Sequence, residues 1–228
     1  MENRKINIAV VAEIAKALQE VKNQMVFVGG AVISLYTDDP AADEIRPTGD
    51  IDMTVKIMNY SSWVTLQERL SELNIHPDPY GHAICSYKYN DIPVDIMPSE
   101  DGPIGPTNKW YKLGFDDLKL VKALDEEIQI LPAPCFLATK FEAYKSRGTD
   151  YRTSHDIEDI IYIIDNRIHI VDEISVSKIE IIQFLQEEIN KIIDCGLLDE
   201  VLSAHIHPLI IDTRQTIVED KIRKILAI

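Results

Sequence analysis

The stretch MVFVGGAVISLYTDDPAADEIRPTGDIDMTVKI, Met25–Ile57, decides the fold class of this chain. MVFV is a short β-branched and aromatic run that ends at Gly29-Gly30, which reads as a strand closed by a turn. AVISLYT follows as a short predicted helix, and residues 38–47, acidic and rich in Pro and Ala, read as a loop. DIDMTVKI, residues 50–57, alternates polar and apolar positions in a β-rich composition and predicts a second strand. Glycines between a strand and a helix let the backbone approach an anion, so Gly29 and Gly30 are candidate phosphate-binding residues. A Gly-Gly pair also serves as a plain tight turn. Alternate residues of a strand point the same way, which puts Asp50 and Asp52 on one face, about 6–7 Å apart along the chain. Two carboxylates that close repel unless a cation lies between them, and oxygen ligands so placed suit magnesium. The other reading of the pair is a solvent-facing strand edge with Ile51 in the core.

Outward from this stretch, residues 6–22 carry helical spacing, broken at Asn23-Gln24. Residues 60–74 predict an amphipathic helix with Ser as N-cap. AICSYKY (83–89) and IPVDIM (92–97) flank Asn90-Asp91, a two-residue hairpin turn. Residues 99–108 are loop, FDDLKLVKAL fits either a helix or a strand, and EEIQIL (126–131) predicts a strand closed by Pro132 and Pro134. Beyond Pro134 every long segment carries helical periodicity. The chain therefore divides into a mixed α/β part, 1–131, and a mostly helical part, 132–228.

Asp95, between Val94 and Ile96 in the predicted strand IPVDIM, is the third candidate acid. With Asp50 and Asp52 it makes a candidate site for two metal ions, magnesium first and manganese as a substitute. Asp95 is also suited to accept a proton from an attacking hydroxyl. The order G-G, D-x-D, h-D-h over residues 25–98 resembles the polymerase-β-like nucleotidyltransferase superfamily. That resemblance implies an α+β fold with a mixed sheet and flanking helices, followed here by the helical part. It implies transfer of an NMP from an NTP to an acceptor hydroxyl, with pyrophosphate leaving.

The second half, PAPCFLATKFEAYKSRGTDYRTSHDIEDIIYII, is similar to the P-x-x-L-x-x-K-x-x-A…R…D-x-x-D stretch of AbiEii-like toxins, the nucleotidyltransferase components of type IV toxin–antitoxin systems. The matching residues are Lys140, Ala143, Arg147, Asp156 and Asp159. The resemblance implies that Lys140 contacts the triphosphate, that Arg147 lies in the nucleotide-binding zone, and that Asp156 orients Lys140 or helps hold the nucleotide. It also implies tRNA as an acceptor and an antitoxin as a partner. Two departures stand out. The superfamily commonly places Ser or Thr soon after the glycine pair, whereas Ala31-Val32-Ile33 follow here and Ser34 comes late. His155 stands where the toxins carry a basic residue. FVGGAV also resembles the head of CCA-adding tRNA enzymes, but Ile33-Ser34 occupy the places of their Arg-Asp.

Composition limits the partners. The net charge of −15 repels nucleic acid, so an RNA acceptor needs a local basic zone, for which Lys145, Arg147 and Arg152 are candidates. The same charge attracts a cationic small molecule, which suits an aminoglycoside- or lincosamide-modifying nucleotidyltransferase. A non-catalytic nucleotide- or partner-binding module is the third reading. No apolar run approaches the roughly 20 residues of a membrane span, and Met1-Glu-Asn-Arg-Lys leads into an amphipathic stretch, so a cytoplasmic location with no membrane partner is expected. Cys85, Cys135 and Cys195 are widely spaced and read as buried thiols; His205 and His207 read as a helix end, and Trp63 and Trp110 as packing residues.

Overall fold

The computed structural model describes residues 2–56, 59–81, 85–102, 107–148 and 150–228. His82, which beside Gly81 reads from the sequence as a turn residue, lies outside them. The chain separates into two compact units, Met1–Leu35 with Glu44–Pro132, and Tyr36–Asp43 with Ala133–Ile228.

The first unit holds α1 (Glu2–Ala17), β1 (Met25–Val28), β2 (Ile51–Val55), α2 (Tyr60–Glu72), β3 (Ile75–Pro77), β4 (Ser86–Tyr89), β5 (Ile92–Pro98), α3 (Trp110–Gly114), β6 (Lys119–Ala123) and β7 (Glu126–Ile130). Among the described residues these strands form a seven-stranded sheet in the order β3-β4-β5-β2-β1-β7-β6. It is mixed: β1 runs parallel to β7 and antiparallel to β2, while β2 runs parallel to β5. β1 is buried at all four positions, as the uninterrupted run MVFV requires of a central strand. α1 packs against β6 and β7, and α2 packs against β3. Trp63 and Trp110 are buried, as a packing role predicts.

Local departures from the sequence reading have physical causes. Gln19 takes φ 51°, which a right-handed α-helix cannot continue, so the helix read over 6–22 stops at Ala17 and a 3-10 turn, Gln19–Gln24, follows. AVISLYT forms a 3-10 helix, Gly30–Tyr36, instead of an α-helix. The N-cap of α2 is Asn59, whose Oδ1 accepts from the Ser62 N–H at 2.9 Å. β3 is three residues long, reached directly from α2 through Asn74 at φ 61°. FDDLKLVKAL supplies β6, and Leu124, at φ 53°, turns the chain into β7. The Asn90-Asp91 turn joins β4 to β5 as read, with Asn90 at φ 51°.

The second unit holds α4 (Ala133–Arg147), α5 (His155–Asn166), α6 (Ile170–Ser175), α7 (Ile179–Asp194), α8 (Leu198–His205) and α9 (Ile211–Leu226). Ala133 to Phe141 are all buried, so the first half of α4 is a core helix; it packs on α5, α6 and α7. Tyr36–Asp43 is strapped to the end of α5. Asp38 N–H and Asp39 N–H both donate to the Asn166 carbonyl, and Arg214 binds Asp39 and Asp165 at 2.8 and 2.7 Å. The fold is α+β, with a helical C-terminal part. No helix among the described residues is long and apolar enough to cross a membrane.

Candidate functional site

The sheet register brings two of the three candidate acids together. Asp52 pairs with Asp95 across the parallel β2–β5 ladder, with Val28 on its other side, and Asp95 pairs in turn with Ser86. Register partners share a face, and adjacent strands lie about 4.8 Å apart, so the two half-buried carboxylates are immediate neighbours. β1 ends beside Asp52 and turns at Gly29, whose φ is 73°. A Cβ on Gly29 would collide with the Asp52 carboxylate, so this position needs glycine twice over, for its backbone angle and for its missing side chain.

Asp50 is placed differently from its sequence reading. β2 begins at Ile51, and Asp50 sits just before it, exposed, with Oδ1 accepting the Thr48 hydroxyl at 3.0 Å. Among the described residues no three His, Cys, Asp or Glu side chains converge as a group that could hold a metal ion. The acids thus stand as one adjacent pair, Asp52 and Asp95, with Asp50 turned to Thr48.

Several residues around this pair carried no sequence signal. Cys85 lies near the acids: burial, then the charges of Asp95 and Asp52, push its thiol up. The three cysteines are not uniformly buried thiols. Cys85 is half-buried and Cys195 exposed; Cys135 is buried and pushed up to about 12 by desolvation. Arg46 and Thr48, from the loop before Asp50, lie over Gly30: an ideal Cβ there would stand 3.1 Å from Arg46 Nη2 and 3.3 Å from Thr48 Oγ1. Only the fold reveals that approach, because 16 and 18 residues separate them from Gly30.

In the second unit, Lys140, Asp156 and Asp159 form a buried cluster. Lys140 Nζ lies 2.6 Å from Asp159 Oδ2 and 3.3 Å from Asp156 Oδ1. Arg147 holds the other oxygen of Asp156. The i,i+3 spacing of the two acids on α5 is what lets one ammonium reach both. The remaining cations of the expected basic zone are also paired. Lys145 lies 3.4 Å from Glu188, while Arg152 binds Asp150 at 2.7 Å and Glu200 at 2.8 Å. His205, the last residue of α8, has Nε2 2.8 Å from the Tyr151 carbonyl oxygen.

No family model matches the sequence, and no curated protein matches it. Among solved structures, the chain is similar to an antigenic nucleotidyltransferase-like protein from Paracoccidioides brasiliensis. The identity is 18%, the likeness covers 88% of this chain and 93% of that one, and the TM-score is 0.51. The fold is therefore nucleotidyltransferase-like.

Proposed function

We propose that this chain is a metal-dependent nucleotidyltransferase that moves an NMP from an NTP to an acceptor hydroxyl. The observation that supports this most is the Asp52–Asp95 register pair beside the Gly29 turn, in a nucleotidyltransferase-like fold. Hard carboxylate oxygens on adjacent strands fit magnesium, with manganese as a substitute. Asp52 and Asp95 would hold the ions, two in the full arrangement, and Asp50 would join them on leaving Thr48. When bound, magnesium supplies charge neutralisation for the triphosphate and a lower pKa for the attacking hydroxyl. Asp95 takes the acceptor's proton as its oxygen bonds the α-phosphorus and the bond to pyrophosphate breaks. Gly29 and Gly30 receive the phosphates.

The AbiEii-like pattern of the second half favours a toxin-type activity on the tRNA 3′ end, with an antitoxin as partner. A second acceptor class, a cationic small molecule of the aminoglycoside or lincosamide kind, is favoured by one observation. Lys145, Arg147 and Arg152 are each engaged by carboxylates, in a chain of net charge −15. The test is label transfer from each of four α-labelled NTPs, with magnesium, to total tRNA, to the protein itself and to an aminoglycoside panel. Transfer by the wild type that disappears in an Asp50→Ala/Asp52→Ala double variant supports the proposal, and the labelled acceptor names the class. NTP binding without transfer to any acceptor leaves the non-catalytic module standing.

A further inference from the structure

We infer that Arg46 and Thr48 are the phosphate-binding residues of the glycine turn, fixed in place by Asn7; this rests on the nucleotidyltransferase reading. The hydroxyl that the superfamily pattern places soon after the glycine pair is missing here. Ala31, Val32 and Ile33 follow Gly30, and Ser34 is only 1% exposed inside the 3-10 helix. The loop before Asp50 returns a hydroxyl to that place. Thr48 Oγ1 stands 3.3 Å, and Arg46 Nη2 3.1 Å, from an ideal Cβ on Gly30. Gly30 is buried, whereas Arg46 and Thr48 are half-buried. An anion approaching the turn therefore meets a guanidinium and a hydroxyl. A guanidinium offers a rigid fork of N–H donors matched to phosphate oxygens, and its charge is permanent.

The segment is held as an arch. Asn7, 1% exposed on α1, donates from Nδ2 to the Arg46 carbonyl at 3.2 Å and accepts from the Thr48 N–H at 3.3 Å. Its amide brackets Pro47, which has no N–H and a fixed φ. Asn3, one turn earlier, donates to the Ile45 carbonyl at 3.1 Å. Two asparagines of one helix thus set the backbone that carries both binding side chains. Thr48 now gives its hydroxyl hydrogen to Asp50 Oδ1 at 3.0 Å. Given to a phosphate oxygen instead, that hydrogen frees Asp50 toward Asp52 and Asp95. Filling the arch and assembling the acids become one event.

The experiment is calorimetric titration of the full chain with magnesium tripolyphosphate and with magnesium–ATP, followed by label-transfer kinetics. Arg46→Gln is expected to weaken both ligands about tenfold or more, with Arg46→Lys intermediate and Thr48→Val weaker by a smaller factor. Asn7→Ala, a positioning change, raises KM for NTP while kcat holds; a purely structural role would lower active enzyme and leave KM alone. Melting temperatures of the Arg46→Lys and Thr48→Val variants close to wild type keep the comparison clean. Wild-type binding that all these variants retain undiminished overturns the arch and leaves the nucleotidyltransferase reading intact. A wild type that binds neither tripolyphosphate nor any NTP overturns both.

Discussion

Gly29→Ala probes the junction of the glycine turn with the acid pair, and two other glycines calibrate it. At Gly29 the added methyl meets both a φ of 73° and the Asp52 carboxylate. The left-handed backbone costs an L-residue about 1–2 kcal/mol. Turning Asp52 off its rotamer adds about 0.5–1.5 kcal/mol. The sum is ~1.5–3.5 kcal/mol, or a melting temperature lower by about 3–14 °C in a protein of this size. Gly148, at φ 62° with nothing within 4 Å of its Cβ, carries the backbone cost alone, ~1–2 kcal/mol. Gly49, whose Cβ also meets nothing within 4 Å and whose φ is not left-handed, stays within ~0.5 kcal/mol. Urea titrations read the series. Tryptophan fluorescence follows the first unit, because Trp63 and Trp110 both lie in it, and far-UV circular dichroism follows Gly148→Ala. Label transfer should fall sharply in Gly29→Ala, where Asp52 is displaced, and persist in the other two. Equal destabilisation of Gly29→Ala and Gly148→Ala, with transfer retained, would refute the reasoning.

Lys140→Met strips the ammonium from two buried acids, Asp156 and Asp159, and is expected to cost ~3 kcal/mol or more in urea denaturation. Adding Asp159→Asn should recover part of that loss, and a neutral Lys140→Met would sink the buried-cluster account. The Ala41 N–H, then the Arg214 guanidinium, hold the Asp39 carboxyl below its ordinary 3.8. A depressed folded-state pKa contributes stability above the unfolded value that is lost as pH falls through the folded one, so Asp39→Asn should lower stability at pH 7 and flatten the acid limb of a melting-temperature profile. An unchanged acid limb would contradict the strap described at the end of α5. At pH 8 a thiol reagent should modify exposed Cys195 first and Cys135, pushed up to about 12, only on unfolding, as peptide mass mapping would show. Early modification of Cys135 would mean that the core around α4 opens readily.

Much of the first unit was legible because its signals are local. MVFV is uniformly apolar and became a central strand, while Asn90-Asp91 carries turn chemistry that suits Asn90 at φ 51°. The unread parts depend on contacts distant in sequence. β6 and β7 are joined at Leu124, a residue with no turn preference held at φ 53°, so FDDLKLVKAL had no boundary to read. β3, only three residues long, is too short to show a period. In the second unit, the i,i+3 spacing made Asp156 and Asp159 visible as partners on one helix face. The Asp52–Asp95 register needed the β2–β5 ladder, which no spacing encodes. Arg46 and Thr48 were hidden for the same reason: their loop looks acidic and irregular until it folds over Gly30.

The most direct test of the central claim is the rate of magnesium-dependent pyrophosphate release by the wild type and by Asp95→Asn, with the acceptor identified by label transfer. The Asp52–Asp95 pair predicts release by the wild type that falls by about 10²–10⁴ in Asp95→Asn, the range that losing a general base commonly costs, with the melting temperature little changed. Equal rates in the two proteins would contradict the account and remove Asp95 from the chemistry.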